Sequence, residues 1–481
     1  MNRPRAFHIV TVGWERRLVE GLCDPVAAKS AARFSHIVHP SYVAQDCPDL
    51  ARRSDIHFFR SHSHESMPDP DPGLLASLER PDIPTIHNMI LGDRVVSKID
   101  GRDALRYATF LVRRLIELYR RISPDVIIGA FDALHGGLAL AAARHLNIPW
   151  FALNFSVIPP GLACFCDRMS PAARVSLTGP ASGELREIAE GALRKFETRD
   201  IQAHAFIAPQ VSSLPRRLSR LPARFSALTR TIRNARDREY VQFTQKRVEH
   251  DVWAALEHKR RAAAARRALS EAHTLAQVPD TPYVLFGLHL QPESSIDVWA
   301  PFFSNQIWVI ELLARSIPPS HKLLVKIHKS DVANYSREQL ERMQSFPGVE
   351  LVRPFADTRS FIERADLVVS IQGTMGLEAA LLGKPVIMLG DSPVSVFPSA
   401  SPVGEIVELP MLVRSKLAQP PPGRDDIVAA YADYLAPFMP ASLNDWSVEV
   451  AADAIERYVQ LFSALERYVR AGLSAPLQVA L

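Results

Sequence analysis

Gln372-Gly373-Thr374-Met375-Gly376-Leu377-Glu378 combines residue types and a spacing that could do chemistry. Glycines three positions apart let a ligand approach free backbone N–H groups, and those groups favour anionic oxygens, so a phosphate is the ligand this turn would suit. Glu378 follows within the first helical turn, where a carboxylate suits the helix dipole and could also reach a ribose hydroxyl beside the phosphate. The flanking residues position the turn. The apolar, β-branched run Asp366 to Ile371, an apolar segment of helix length, and a second apolar run after Lys384-Pro385 read as strand, turn, helix and strand. In such a βαβ unit the turn lies at the carboxyl end of a parallel strand, where open α/β sheets bind ligands. A tight corner would use Gly373 and Gly376 as well; Glu378 favours the ligand reading.

Other polar groups follow strand-like runs in the same way. Tyr283 to Leu288 leads into His289, Gln291 and Glu293, and the strand His321 to Lys329 ends with Lys326 and His328 two residues apart, on one face, where they could meet a phosphate. In the N-terminal half, Asp125 to Ala130 is followed by Asp132, His135 and an alanine-rich helix to His145, then by the strand Asn147 to Leu153. Asp132 and His135 therefore stand at a strand's carboxyl end, with Asp132 either helix N-cap or chemical group. His57, His62 and His64 lack acidic or cysteine companions at an established metal-ligand spacing.

The elements that must hold these residues divide the chain. At 481 residues it exceeds what one core usually serves, and its 47% hydrophobic and 22% charged residues are those of a folded globular protein. The boundaries expected are an N-terminal α/β domain over 1–175, a basic helical connector over 176–280, a C-terminal α/β domain over 281–425, and helices over 426–481 that cross back over the N-terminal domain. The connector carries a run of basic residues from Arg216 to Arg267; it is either a solvated helical face or a surface for anionic lipid headgroups. A net charge of only +4 and the lack of zinc-finger, helix-turn-helix or ribonucleoprotein patterns argue against nucleic acid. Cys23, Cys47, Cys164 and Cys166 read as reduced thiols, and no apolar stretch of spanning length or export signal is present.

Leu288-His289-Leu290-Gln291-Pro292-Glu293, Val325-Lys326-Ile327-His328, Gln372 to Ala379 and Gly383-Lys384-Pro385-Val386 together resemble bacterial capsule and surface-polysaccharide biosynthesis proteins. The likeness extends more weakly to Ile86 to Arg94 and Pro124 to Gly129. Where the family commonly continues Lys-x-His with proline, this chain has Lys329. The resemblance implies glycosyltransferases of GT-B architecture, two Rossmann-like domains facing a cleft, some members transferring Kdo from its CMP-activated form.

Transfer from a nucleotide-sugar breaks an anomeric C–O bond, so negative charge on the departing phosphate must be stabilised and the acceptor proton removed. On that reading Gly373, Thr374 and Gly376 contact phosphate beside Gln372, Glu378 contacts ribose, Lys326 and His328 supply positive charge, and Gln291 and Glu293 line the site. Asp132 is the expected general base, or nucleophile in a retaining reaction, with His135 and His289 as further catalytic candidates. No metal or cofactor is expected; the donor is a CMP- or UDP-linked sugar, the acceptor a saccharide or glycolipid, and the location the cytoplasm or inner membrane face. A nucleotide-sugar epimerase of the same fold and a non-enzymatic polysaccharide-binding protein remain alternatives.

Overall fold

The computed structural model describes residues 6–14, 18–38, 49–59, 67–129, 133–177, 182–201, 252–331, 334–442 and 451–472. Asp132, His62, His64, Cys47 and most of the basic connector lie outside the described residues. The chain forms two compact units, residues 1–181 with 436–481, and residues 182–435. Both are α/β with largely parallel sheets, the Rossmann-like architecture expected.

In the first unit the strands are β1 (Phe7–Val12), β2 (Ala32–Ile37), β3 (Ile56–His57), β4 (Val126–Gly129), β5 (Trp150–Phe155), β6 (Leu162–Cys166) and β7 (Arg174–Val175). Their order is β3-β2-β1-β4-β5-β6, with β7 on β6. The pairs from β3 through β5 are parallel, whereas β6 runs antiparallel to β5. β1 is buried at every position, as a central strand covered on both faces must be. The helix Gly101–Ile122 buries Tyr107, Ala108, Leu111, Leu115 and Leu118 along one stripe, begins on an Asp100 cap, and stops at Ser123 (φ 46°) before Pro124. Sequence patterning missed β6, whose short apolar run carries no alternation, and β7, which is only the dipeptide Arg174–Val175.

The first unit is completed from the far end of the chain. The helix Ala452–Gly472 places Tyr458, Leu461, Phe462 and Leu465 in one core with Phe7, Ile9, Phe151 and Phe165. Each such side chain is worth about 1.5–3 kcal/mol when fully buried. Cys23, Cys164 and Cys166 are buried free thiols, and burial pushes Cys23 and Cys166 well above the usual thiol range, which disfavours the thiolate.

The second unit contains β8 (Thr274–Leu275), β9 (Tyr283–Gly287), β10 (Lys322–Lys326), β11 (Val349–Val352), β12 (Leu367–Ser370), β13 (Val386–Met388) and β14 (Ala400–Pro402), while β15 (Met439–Pro440) belongs to the first sheet. The order β14-β13-β12-β9-β10-β11-β8 is parallel throughout. The chain winds outward from β9 to β11, returns to β12 on the other side of β9, and winds outward again. The switch point between β9 and β12 is thus where the crevice of this sheet opens. The helices Ser182–Glu197 and Arg424–Leu435 pack together in this unit. The described flanks of the expected connector, and the chain as far as Leu435, therefore belong to the second unit, and the division falls near 181 and 435 instead of 175, 280 and 425. Composition could not show this, because the helices join the unit by packing against residues distant in sequence.

Candidate functional site

At the second unit's switch point, the turn after β12 is built around Gly373. Its backbone (φ 98°, ψ −176°) lies in a region open in practice only to glycine, and it precedes the helix Thr374–Leu381. No side chain caps that helix, so its first-turn N–H groups are available to an anion. The turn is braced from β9. His289 Nε2 lies against the carbonyl of Gln372 and 3.2 Å from its N–H, the tautomer deciding which forms the hydrogen bond. Burial lowers the His289 pKa, so the ring is neutral near pH 7. Ser370 Oγ donates to the same Gln372 carbonyl at 2.7 Å, and Gln372 Nε2 donates to the Asp391 carbonyl. His289 and Gln372 thus hold the crevice in shape. Gly376 has a different duty: a Cβ there would come 2.6 Å from Met388 Sδ, so this glycine lets the helix pack against β13.

The loop after β9 is a polar lattice. Gln306 Oε1 accepts from the His289 N–H at 2.8 Å, while its Nε2 donates to the His289 carbonyl at 3.0 Å and to Gln291 Oε1 at 2.9 Å. Gln291 Nε2 donates to Asp297 Oδ1 at 3.0 Å, and Asp297 Oδ2 accepts the Glu293 N–H at 2.9 Å. Glu293 Oε2 accepts from Ser295 Oγ at 2.7 Å. Gln291 is consequently committed to shaping the loop. Gln306, Asp297 and Asn334, which donates to the Gln291 carbonyl at 2.9 Å, were not singled out from sequence. Gln306 and Asn334 act on backbone 17 and 43 residues away, which no local pattern marks, whereas Asp297 acts on the Glu293 N–H one turn before it.

β10 ends at Lys326, so the strand alternation that would align Lys326 with His328 stops there. Lys326 is buried and its Nζ donates to the Pro354 carbonyl at 2.6 Å. Burial, with the nearby charge of Lys329, lowers its pKa to about 8. His328 Nδ1 accepts the Ser330 N–H at 3.2 Å; burial lowers its pKa, and the charges acting on it are those of Glu293, His289, Lys329 and Lys326. The loops after β9 and β10 therefore share one electrostatic neighbourhood. Asp331 is buried beside them, its carboxyl raised to about 6 chiefly by burial, against hydrogen bonds from Tyr335 and Asn334.

Glu378 is held by the Thr374 hydroxyl, and burial raises its carboxyl above the ordinary value. A raised acid favours folding at low pH, and that contribution is lost as pH rises from the usual carboxyl range through the raised value. Ionising it in the folded protein therefore costs stability, consistent with a group retained for a ligand. Glu378→Gln is expected to weaken nucleotide binding roughly tenfold while leaving the melting temperature equal or slightly higher at pH 7. Calorimetric titration beside melts at pH 5 and 7 checks this; unchanged affinity would remove Glu378 from the site.

In the first unit the corresponding switch point lies between β1 and β4, where the helix Ala133–His145 begins. Asp93, buried and 41 residues away in sequence, accepts the Leu134 N–H at 2.8 Å, and its other oxygen accepts the Val95 and Val96 N–H groups, each at 2.8 Å. His135 Nε2 is 3.0 Å from the Tyr107 hydroxyl; burial lowers its pKa and Asp93 partly opposes that. Asp93 was missed as a site residue although it falls within the stretch Ile86 to Arg94. Among the described residues no group of three or more His, Cys, Asp or Glu could hold a metal ion, and no helix is long and apolar enough to cross a membrane.

Residues 201–396 match the family model described as capsule polysaccharide biosynthesis protein. No curated protein matches the chain. Among solved structures, the KpsC beta Kdo 2,4 transferase of Thermosulfurimonas dismutans is 13% identical with TM-score 0.32, covering 83% of this chain and 99% of its own. The beta Kdo 2,7 transferase of the same organism's KpsC is 14% identical with TM-score 0.34, covering 73% and 89%. The UDP-GlcNAc 2-epimerase of Neisseria meningitidis bound to UDP-GlcNAc is 12% identical with TM-score 0.29, covering 96% and 100%. Likenesses of this size carry no conclusion about activity. The matched segment contains the loops after β9, β10 and β12, and over those residues this chain is similar to the capsule polysaccharide biosynthesis protein family.

Proposed function

We propose that the protein is a glycosyltransferase that moves a sugar from a nucleotide-activated donor to a capsule or surface polysaccharide or glycolipid, with the donor held by the second unit. The observation that carries this reading is that the family match spans the switch-point turn where His289 braces Gln372 beside the uncapped helix start at Gly373. In the reaction the anomeric C–O bond breaks with its electrons leaving on phosphate, the acceptor oxygen bonds to the anomeric carbon, and its proton passes to a base. Backbone N–H groups and cationic side chains would take the phosphate charge without a metal. Asp132 is the proposed base.

A thermal-shift screen against CMP-, UDP-, GDP- and TDP-sugars in chelator-treated buffer tests the donor site, because a ligand that binds only the folded state raises apparent stability. Product analysis with and without a saccharide acceptor then tests the reaction. Transfer only with acceptor supports the reading; sugar interconversion without it would establish an epimerase, and no binding of any nucleotide-sugar would overturn the donor site.

The reading includes peripheral attachment to the inner membrane face through the basic stretch Arg216 to Arg267. Co-sedimentation with vesicles containing anionic lipid should be strong at low salt and fall as salt rises. Failure to bind at low salt would remove the attachment.

A further inference from the structure

We infer that the cation meeting the donor phosphate is Lys329, and that Lys326, to which the Lys-x-His spacing points, is a structural lysine of the sheet edge. This rests on the reading of the second unit as a nucleotide-sugar site. Lys326 is 4% exposed, and its ammonium donates to the Pro354 carbonyl at 2.6 Å and the Ile327 carbonyl at 3.3 Å. It thereby ties the end of β10 to the loop after β11. Turning toward a ligand would break both bonds and leave buried carbonyls without a donor, which opposes the movement.

Lys329 is placed differently. Immediately beyond β10, the Asp331 N–H donates to the His328 carbonyl at 3.0 Å and closes a turn with Lys329 and Ser330 at its centre. The Ser330 N–H on His328 Nδ1 fixes the turn to the imidazole. Lys329 is exposed and makes no ion pair among the described residues. Its charge is felt by Lys326, by His328 and by Glu378 on the helix that follows Gly373. A long, flexible stem ending in a strongly hydrated ammonium with three donors suits phosphate capture from such a position. The ligand class is a nucleoside mono- or diphosphate, with His328 beside the cation and Glu378 toward the ribose.

Calorimetric titration of the full chain with CMP, UDP, cytidine and uridine at low and moderate salt tests the assignment. Lys329→Met should weaken the preferred nucleotide roughly tenfold and flatten its salt dependence, while affinity for the matching nucleoside stays unchanged. Lys329→Arg should retain most of the nucleotide affinity. Lys326→Met should change the melting temperature without changing the nucleotide-to-nucleoside affinity ratio. If the wild type binds nucleotide and Lys329→Met binds it equally well with the same salt slope, this assignment fails and the donor-site reading survives. Equal loss of nucleotide and nucleoside affinity in Lys329→Met also overturns it, as a structural effect. A wild type that binds no nucleotide overturns both.

Discussion

Asp132→Asn is expected to lower sugar transfer by roughly 10²–10⁴-fold, the usual scale for removing a positioned general base, while donor affinity and melting temperature stay near wild type. Asparagine has nearly the same shape and still caps helices, so the substitution separates proton transfer from helix capping. The fold supports making that separation at this position. The Leu134 N–H, one of the first-turn donors a cap at 132 would engage, is already taken by Asp93. If Asp132 were chiefly a cap, the variant would keep near-normal turnover and differ in stability by about 1 kcal/mol or less. Steady-state kinetics with the identified donor and acceptor, beside a melt of the same variant, decides between them. Retained turnover would exclude Asp132 and direct attention to Asp93 and His135, which share the opening of the same helix.

Gly373→Ala is expected to damage both the fold of the second unit and its ligand affinity. With φ at 98° and ψ at −176°, any Cβ is strained, at a cost on the order of 1–3 kcal/mol. The added atom would also lie 3.1 Å from His289 Nε2. The ring must give way or the turn must rotate, and either movement disturbs the brace on Gln372. Nucleotide affinity should fall by more than the roughly tenfold expected for Glu378→Gln, and thermal unfolding should shift to lower temperature. Gly376→Ala provides a contrast: its Cβ would meet the flexible tip of Met388, so stability should suffer while the turn at Gly373 keeps its conformation. An unaltered melt and titration for Gly373→Ala would show that the turn is not held as described.

The elements that patterning marks most clearly are those buried by local periodicity. Phe7–Val12 and Val349–Val352 coincide with apolar runs, and the apolar stripe of Gly101–Ile122 repeats over about six turns. β6, β7, β8, β14 and β15 escaped notice, since pairing with a neighbour and not composition makes them strands.

By itself the sequence determined two α/β units, the location of polar groups after strands β4, β9, β10 and β12, and the glycine-rich turn beside Glu378. Those features follow from residues close together in the chain, where hydrophobic period and turn chemistry act directly. Only the tertiary structure decided what the individual side chains do there. The Lys326 ammonium donates to a carbonyl brought near by strand order, and Gly376 leaves room for Met388 where its helix packs on β13. His289 and Gln372 meet across the switch point although 83 residues separate them, and Asp93 reaches the helix at Leu134. Such commitments depend on which carbonyl or N–H lies within hydrogen-bond reach after folding, and long-range geometry of that kind leaves no mark on local sequence.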